Sequence, residues 1–133
     1  MNKPSSRPIA SRPLSPHLGN YRLPLLPLLS IMHRMTGVAL AFGTLLIAAW
    51  LLALGLGEAA YRQFTVFMTS PFGILLLLGW SLALFYHGFN GIRHLFWDVG
   101  LGLAVPQAEA GGWLVAALSL GSTALLWLCL WLL

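Results

Sequence analysis

Residues 35 to 57 read MTGVALAFGTLLIAAWLLALGLG, and none of them is charged. Two more uncharged runs follow, Gln63 to Tyr86 and Ala110 to Leu133. Each is longer than the roughly 20 residues an α-helix needs to cross the hydrocarbon core of a bilayer. The expected fold class is therefore all-α, an integral membrane bundle of three transmembrane helices. Composition agrees: of 133 residues, 59% are hydrophobic and 8% charged, whereas a soluble domain usually carries about a quarter charged residues. Such a chain cannot build a water-facing shell.

The charges that remain are unevenly placed. Seven basic and three acidic side chains give a net charge of +4, which taken alone suggests a nucleic-acid footprint. Lys3, Arg7, Arg12, Arg22 and Arg34 all precede the first uncharged run, however, leaving Arg62 and Arg93 against Glu58, Asp98 and Glu109. A basic arm ahead of a first span places that end in the cytoplasm by the positive-inside rule, and it suits the anionic headgroups of membrane lipids. No nucleic-acid partner is expected. Cys129 is alone, so an intrachain disulfide and a cysteine-only metal site are both excluded, and any iron–sulfur chemistry must belong to another chain. The first dozen residues are basic and acid-free, but Pro4, Pro8 and Pro13 interrupt them. The run after Arg34 is too long and too far from the start for a signal peptide and reads as a retained span.

Prolines mark the architecture. Six of the eight lie between Pro4 and Pro27, which defines a basic, proline-rich cytoplasmic arm over 1–26 and a transmembrane domain over 27–133. Helices are expected at about 27–54, 71–99 and 112–133. Gly55 and Gly57 stop the first, Ser70 caps the second with Pro71 in its first turn, and Gly100 and Gly102 end it. Residues 58–69 make a short connection, partly helical. At 1.5 Å per residue the second helix is about 43 Å long, more than the hydrocarbon core, so its last turns leave the membrane on the side where the first helix starts. Trp97 and Trp113 then fall at the inner interface and Trp50 and Trp131 at the outer one, while Trp80 and Trp127 lie deeper, as packing residues.

Polar side chains in or beside a span are costly, so each is a functional hypothesis. Ser30, His33, Arg34 and Gly37 open the first helix. Ser30, Arg34 and Gly37 share one helical face with His33 beside them. Either Arg34 snorkels to headgroups while Ser30 bonds back to its own helix, or together they meet a buried anionic or carbonyl-bearing ligand. His87, Asn90, Gly91, Arg93 and His94 close the second helix, with His87, Asn90, Gly91 and His94 at i, i+3, i+4 and i+7. Imidazole is a common axial ligand of haem iron, and a glycine one turn on leaves room for a flat macrocycle. His94 lies about 10 Å further along the axis, so both histidines cannot ligate one iron; His94 and Arg93 suit the propionates, with Arg34 and His33 opposite. The alternative is a neutral His87 hydrogen-bonded across a helix pair, with Gly88 and Gly91 as packing residues.

The motifs taken together resemble a known family. Arg12-Pro13-Leu14-Ser15-Pro16-His17-Leu18 with Tyr21-Arg22, then Ser30 to Gly37 containing His-Arg-x-Thr-Gly, then His-x-x-x-Gly-x-Arg-His from His87 to His94 ending in Asp98, resemble the large cytochrome b membrane-anchor subunit of succinate dehydrogenase over essentially the whole chain. The resemblance implies one half of a heteromeric anchor in respiratory complex II. Its partners would be a second, smaller membrane-anchor subunit, an iron–sulfur subunit and a flavoprotein subunit. It implies one haem b shared with the second anchor, and ubiquinone as the acceptor of electrons from succinate in the tricarboxylic acid cycle and respiratory chain. Carried over by position, His87 is the axial ligand of the haem iron, Ser30 and Arg34 line the ubiquinone site, and His33, Arg34 and His94 lie near the propionates. The expected location is a bacterial inner membrane rather than a mitochondrial one. Quinone reduction needs hydrogen bonds to carbonyl oxygens and a positive charge near water, and Ser30 and Arg34 offer both. The chain has no flavin or nicotinamide fingerprint, so succinate oxidation is expected in other subunits. Two alternatives stand beside this reading: the anchor of a related fumarate reductase, and a small homo-oligomeric transporter. The second lacks a membrane-embedded carboxylate for coupling, since Glu58, Asp98 and Glu109 all fall in connections.

Overall fold

The structure, a computed structural model, describes residues 22–133. The calls on Lys3, Arg7, Arg12, His17, Tyr21 and the prolines of the arm up to Pro16 lie outside the described residues. The described residues run through four helices, α1 (Leu25–Leu56), α2 (Glu58–Met68), α3 (Pro71–Asp98) and α4 (Val105–Leu132). Three of them, α1, α3 and α4, are long and apolar enough to cross a membrane. Helices suit that setting because each satisfies its own backbone hydrogen bonds.

Local chemistry explains the boundaries. Pro24 sits in extended conformation before α1, and Pro27 is accepted in the first turn, where a missing N–H breaks no helical bond. Gly57 ends α1 at φ 101°, a conformation that favours glycine. The connection expected at 58–69 is almost wholly helical, with Glu58 in its first turn, where a carboxylate meets the positive end of the helix dipole. Ser70 caps α3 as expected, its Oγ accepting the Gly73 N–H at 3.2 Å. A Cβ at Gly73 would meet the backbone of Phe67 and Met68, so the tight α2–α3 turn depends on that glycine. The turn after α3 uses Gly100 and Gly102 at φ 80° and 73°.

One boundary differs from expectation. The last helix begins at Val105, not Gly112, with Pro106 in its opening turn. Proline is pre-organised for that position, and the Gly111-Gly112 pair does not delay the helix. It is inside α4 because bulkier residues would collide there: a Cβ at Gly112 would run into the Leu29 side chain of α1.

α3 packs against both α1 and α4, and what it buries is the reverse of a soluble core. Ser81, Asn90, Arg93, Ser119 and Thr123 are buried, while Phe42, Leu75, Leu120 and Trp131 are exposed. Only lipid or another apolar chain can cover such a surface. The small hydroxyl residues bring helices close at little polar cost because they bond back to their own backbone: Ser119 Oγ donates to the Val115 carbonyl at 2.6 Å and Thr123 Oγ1 to that of Ser119 at 2.8 Å. Trp127 donates its Nε1–H to Ser81 Oγ at 3.0 Å, and Trp80 lies over Gly43, where any Cβ would overlap its indole. Both tryptophans therefore pack between helices, as their depth predicts.

Candidate functional site

The start of α1, the end of α3 and the start of α4 meet at one end of the bundle. Leu29 is buried against Gly112, and Tyr86 reaches across from α3 to donate its hydroxyl proton to the Leu29 carbonyl at 3.0 Å. Sequence reasoning missed Tyr86. Its signal was a phenol one residue before an intramembrane histidine, since a hydroxyl buried between helices needs an acceptor and a helix carbonyl can take a second hydrogen bond.

Three histidines gather beside this clamp. The His87 ring stacks on that of His33, centroids 4.0 Å apart and planes within 6°. His94 lies on the other side, 5.2 Å from His33 and edge-on to Trp97 at 4.9 Å. The two clusters of the sequence are thus brought into contact, with His33 between His87 and His94.

The hydrogen bonds fix the state of His87. Its Nδ1 lies 3.1 Å from the His33 carbonyl oxygen, which can only accept. Thr36 Oγ1 is 3.4 Å from the same nitrogen, but its one proton is used on its own helix, where the Met32 and His33 carbonyls both lie at 2.9 Å. The network therefore assigns the proton to Nδ1, leaving the Nε2 lone pair free. A backbone carbonyl holding one ring nitrogen so that the other can bind metal is the arrangement metal-ligating histidines use. Gly37 makes the approach possible, since a Cβ there would sit 3.0 Å from His87 Cε1. Its role is to admit the imidazole rather than to extend the Ser30–Arg34 face.

This donor set fits a metal that arrives with its own ligands. Among the described residues no group of three or more His, Cys, Asp or Glu side chains could hold a bare ion. A single imidazole suits a haem iron, already held by four macrocycle nitrogens. Gly88 and Gly91 have open space where their Cβ atoms would be, which keeps the flank of α3 near His87 clear.

Ser30 is half-buried and Arg34 exposed at the same end of the bundle. Thr36, Ser119 and Thr123 bond back to their helix carbonyls; Ser30 does not, and among the described residues neither its hydroxyl nor the Arg34 guanidinium has a side-chain hydrogen-bond partner.

Arg93 departs from expectation. It is not turned toward the histidines but buried against α4. Its Nη1 donates to Asn90 Oδ1 at 3.1 Å and its Nη2 to the Ala108 carbonyl at 2.8 Å, and its guanidinium lies 4.0 Å above the Trp97 ring. Asn90 is fully buried beside it. The pair locks the end of α3 to the start of α4 and turns Arg93 away from the side where a propionate would meet the histidines. The i, i+3 spacing of Asn90 and Arg93 was the available signal.

The chain resembles proteins of one kind along nearly its whole length. Residues 9–129 match the family model described as succinate dehydrogenase/fumarate reductase transmembrane subunit. A succinate dehydrogenase cytochrome b556 subunit from Rickettsia felis is 42% identical over 127 residues, 96% of this chain and 99% of the relative. The subunit of that name from Paracoccus denitrificans is 46% identical over 99 residues, 74% of this chain and 76% of the relative. A mitochondrial cytochrome b560 subunit from Sus scrofa is 38% identical over 122 residues, 86% of this chain and 69% of the relative. Three apolar helices, a histidine pair at one end of the bundle and these matches lead to one conclusion: the chain belongs to the succinate dehydrogenase/fumarate reductase transmembrane subunit family.

Proposed function

We propose that this chain is the cytochrome b anchor of a succinate dehydrogenase, binding haem b through His87 and contributing Ser30 and Arg34 to a ubiquinone-reduction site. The observation that carries the proposal is the tethered tautomer of His87, whose Nδ1–H is held by the His33 carbonyl while Nε2 keeps its lone pair. The relatives in Rickettsia felis and Paracoccus denitrificans are named cytochrome b556 subunits, which supports haem and favours succinate dehydrogenase over the fumarate reductase alternative. When bound, the haem supplies a one-electron redox centre between the anchor chains. His87 orients it, and His33 and His94 lie on the side where propionates would meet polar groups, with Arg34 at the rim. Arg93 takes no propionate role in this reading, because its guanidinium is turned to α4, where it meets Asn90 and Ala108, and away from the histidines.

For the quinone, a hydroxyl and a guanidinium at the boundary can bond a carbonyl oxygen and stabilise the negative charge that develops as it is reduced. Protons are close at hand because that end of the bundle meets water. The remaining subunits in this reading are a smaller second anchor that would share the haem, an iron–sulfur protein and a flavoprotein that oxidises succinate. The basic residues ahead of α1 put the N-terminus in the cytoplasm of a bacterial inner membrane. The test is the absorption spectrum of the purified membrane complex: a b-type haem in the unaltered protein, lost in His87→Leu and retained with a changed midpoint potential in His94→Leu. A His87→Leu complex with an unaltered haem spectrum would refute the assignment.

A further inference from the structure

On the opposite side of α3 from the histidines, a groove of about 350 Å³ runs between α3 and α4. Its walls are apolar, among them Phe89, Ile92 and Phe96 of α3 and Leu114 and Leu118 of α4. At 100° per residue, Phe89, Ile92 and Phe96 lie about 140° to 200° around α3 from His87, so this is not a second view of the histidine site. The groove has one polar end. Arg93, Gly102 and Gln107 line it where α3 ends and α4 begins, the end of the bundle at which α1 starts.

Arg93 gives that end its chemistry. The side chain is 8% exposed, and its two terminal nitrogens donate to neutral oxygens only. Its Nε–H is buried with no partner and faces the wall at Gly111, where a Cβ would lie 3.4 Å away. A buried cation without a carboxylate is costly, and the cost falls when an anion is brought beside it. The nearby acids do not serve. Asp98 lies about 140° around α3 from Arg93, and Glu109 about 200° around α4 from Gln107, so both point away from the groove. Among the described residues Arg93 is the one formal charge lining it. The first turn of α4 adds to the effect, since its N-cap residue Ala104 supplies no side-chain acceptor and leaves amide donors at the mouth.

The length of the groove selects the occupant. From Gln107 to Leu118 it extends about 16 Å along α4, close to one leaflet of a hydrocarbon core about 30 Å thick. A helix about 10 Å across does not enter a groove of this volume over that length. We infer that the groove binds one anionic phospholipid, with an acyl chain along Phe96, Leu114 and Leu118 and the phosphate at the Arg93 and Gln107 end. The occupant thereby joins α3 to α4 and offsets the Arg93 charge from the side of α3 opposite His87, with Trp97 standing between the groove and His94.

The experiment uses the purified membrane complex, equilibrated with equal amounts of phosphatidylglycerol and phosphatidylcholine and read by native mass spectrometry. A photoactivatable phosphatidylglycerol then maps the site by cross-linking. The unaltered complex is expected to retain phosphatidylglycerol at least tenfold over phosphatidylcholine, with cross-links on Phe96, Leu114 or Leu118. Leu114→Trp fills the groove from a position 59% exposed, so the fold survives, and about tenfold less lipid should be retained with the haem spectrum unchanged. Arg93→Gln, where it folds, should keep lipid but lose the headgroup preference; where it does not, Leu114→Trp alone decides. Equal retention of the two lipids, undiminished retention in Leu114→Trp, or a quinone or protein segment cross-linked in the groove instead would each overturn the inference.

Discussion

Gly37→Ala tests the reading of His87 without touching the imidazole itself. The added methyl would stand 3.0 Å from His87 Cε1, whereas carbon atoms in ordinary contact sit at about 3.5 to 4.0 Å. The ring must therefore withdraw by about half an ångström or more. The Nδ1 to His33 carbonyl distance is already 3.1 Å, and that withdrawal carries it past the limit at which a hydrogen bond survives. Turning the ring instead disturbs its 4.0 Å stack on His33. Losing the bond removes about 1 kcal/mol of net stabilisation, and with it the constraint that leaves Nε2 unprotonated. Loss of such an outer partner typically weakens a metal site by about 10- to 100-fold. Gly37→Ala should thus bind haem at least about tenfold more weakly, measured by haem per complex from the alkaline pyridine spectrum and by haem titration of the apo complex. Gly121→Ala in α4 is the control, because its Cβ meets nothing within 4 Å and it lies away from the histidines, and it should bind like the unaltered protein. Full haem occupancy with unchanged affinity in Gly37→Ala would refute the tethered-tautomer argument.

Arg34→Leu and Ser30→Ala should lower quinone reduction by on the order of a hundredfold while leaving succinate oxidation by an artificial acceptor intact; a parallel fall in both activities would point to failed assembly instead. Alkaline phosphatase fused after Leu133 should be active and the same fusion near Arg22 inactive, from the basic residues ahead of α1 and the odd number of spans; the reverse pattern would overturn the orientation. Asn90→Ala removes the acceptor that holds Arg93 Nη1 at 3.1 Å and leaves a buried cation short of one bond. The complex should lose about 2 kcal/mol of stability, read as a thermal midpoint several degrees lower in detergent, and an unchanged midpoint would show that the clamp contributes nothing.

The sequence made the helices legible because lipid imposes one rule on every span, an uncharged run long enough to cross. Boundaries were legible where a side chain acts locally, as with Ser70 and Gly57, and less so at α4, where Pro106 and the Gly111-Gly112 pair carry opposite meanings that only packing against Leu29 and Arg93 resolves. The site divides in the same way. His33 and His87 meet because antiparallel helices of known length must bring those ends together. The carbonyl that fixes the His87 tautomer belongs to the backbone, and no residue type announces it. The direction of Arg93 was partly available. At 100° per residue His94 returns to within about 20° of His87, but Arg93 falls about 120° away, on the flank that α4 covers. Reading Arg93 with the histidines followed their adjacency in the motif rather than that angle. The buried Asn90 reveals what the motif spends on this flank, since a fully enclosed amide is retained only when it holds something costly to release. Two turns of α3 therefore carry two separate devices: histidines facing α1, and a buried cation facing α4.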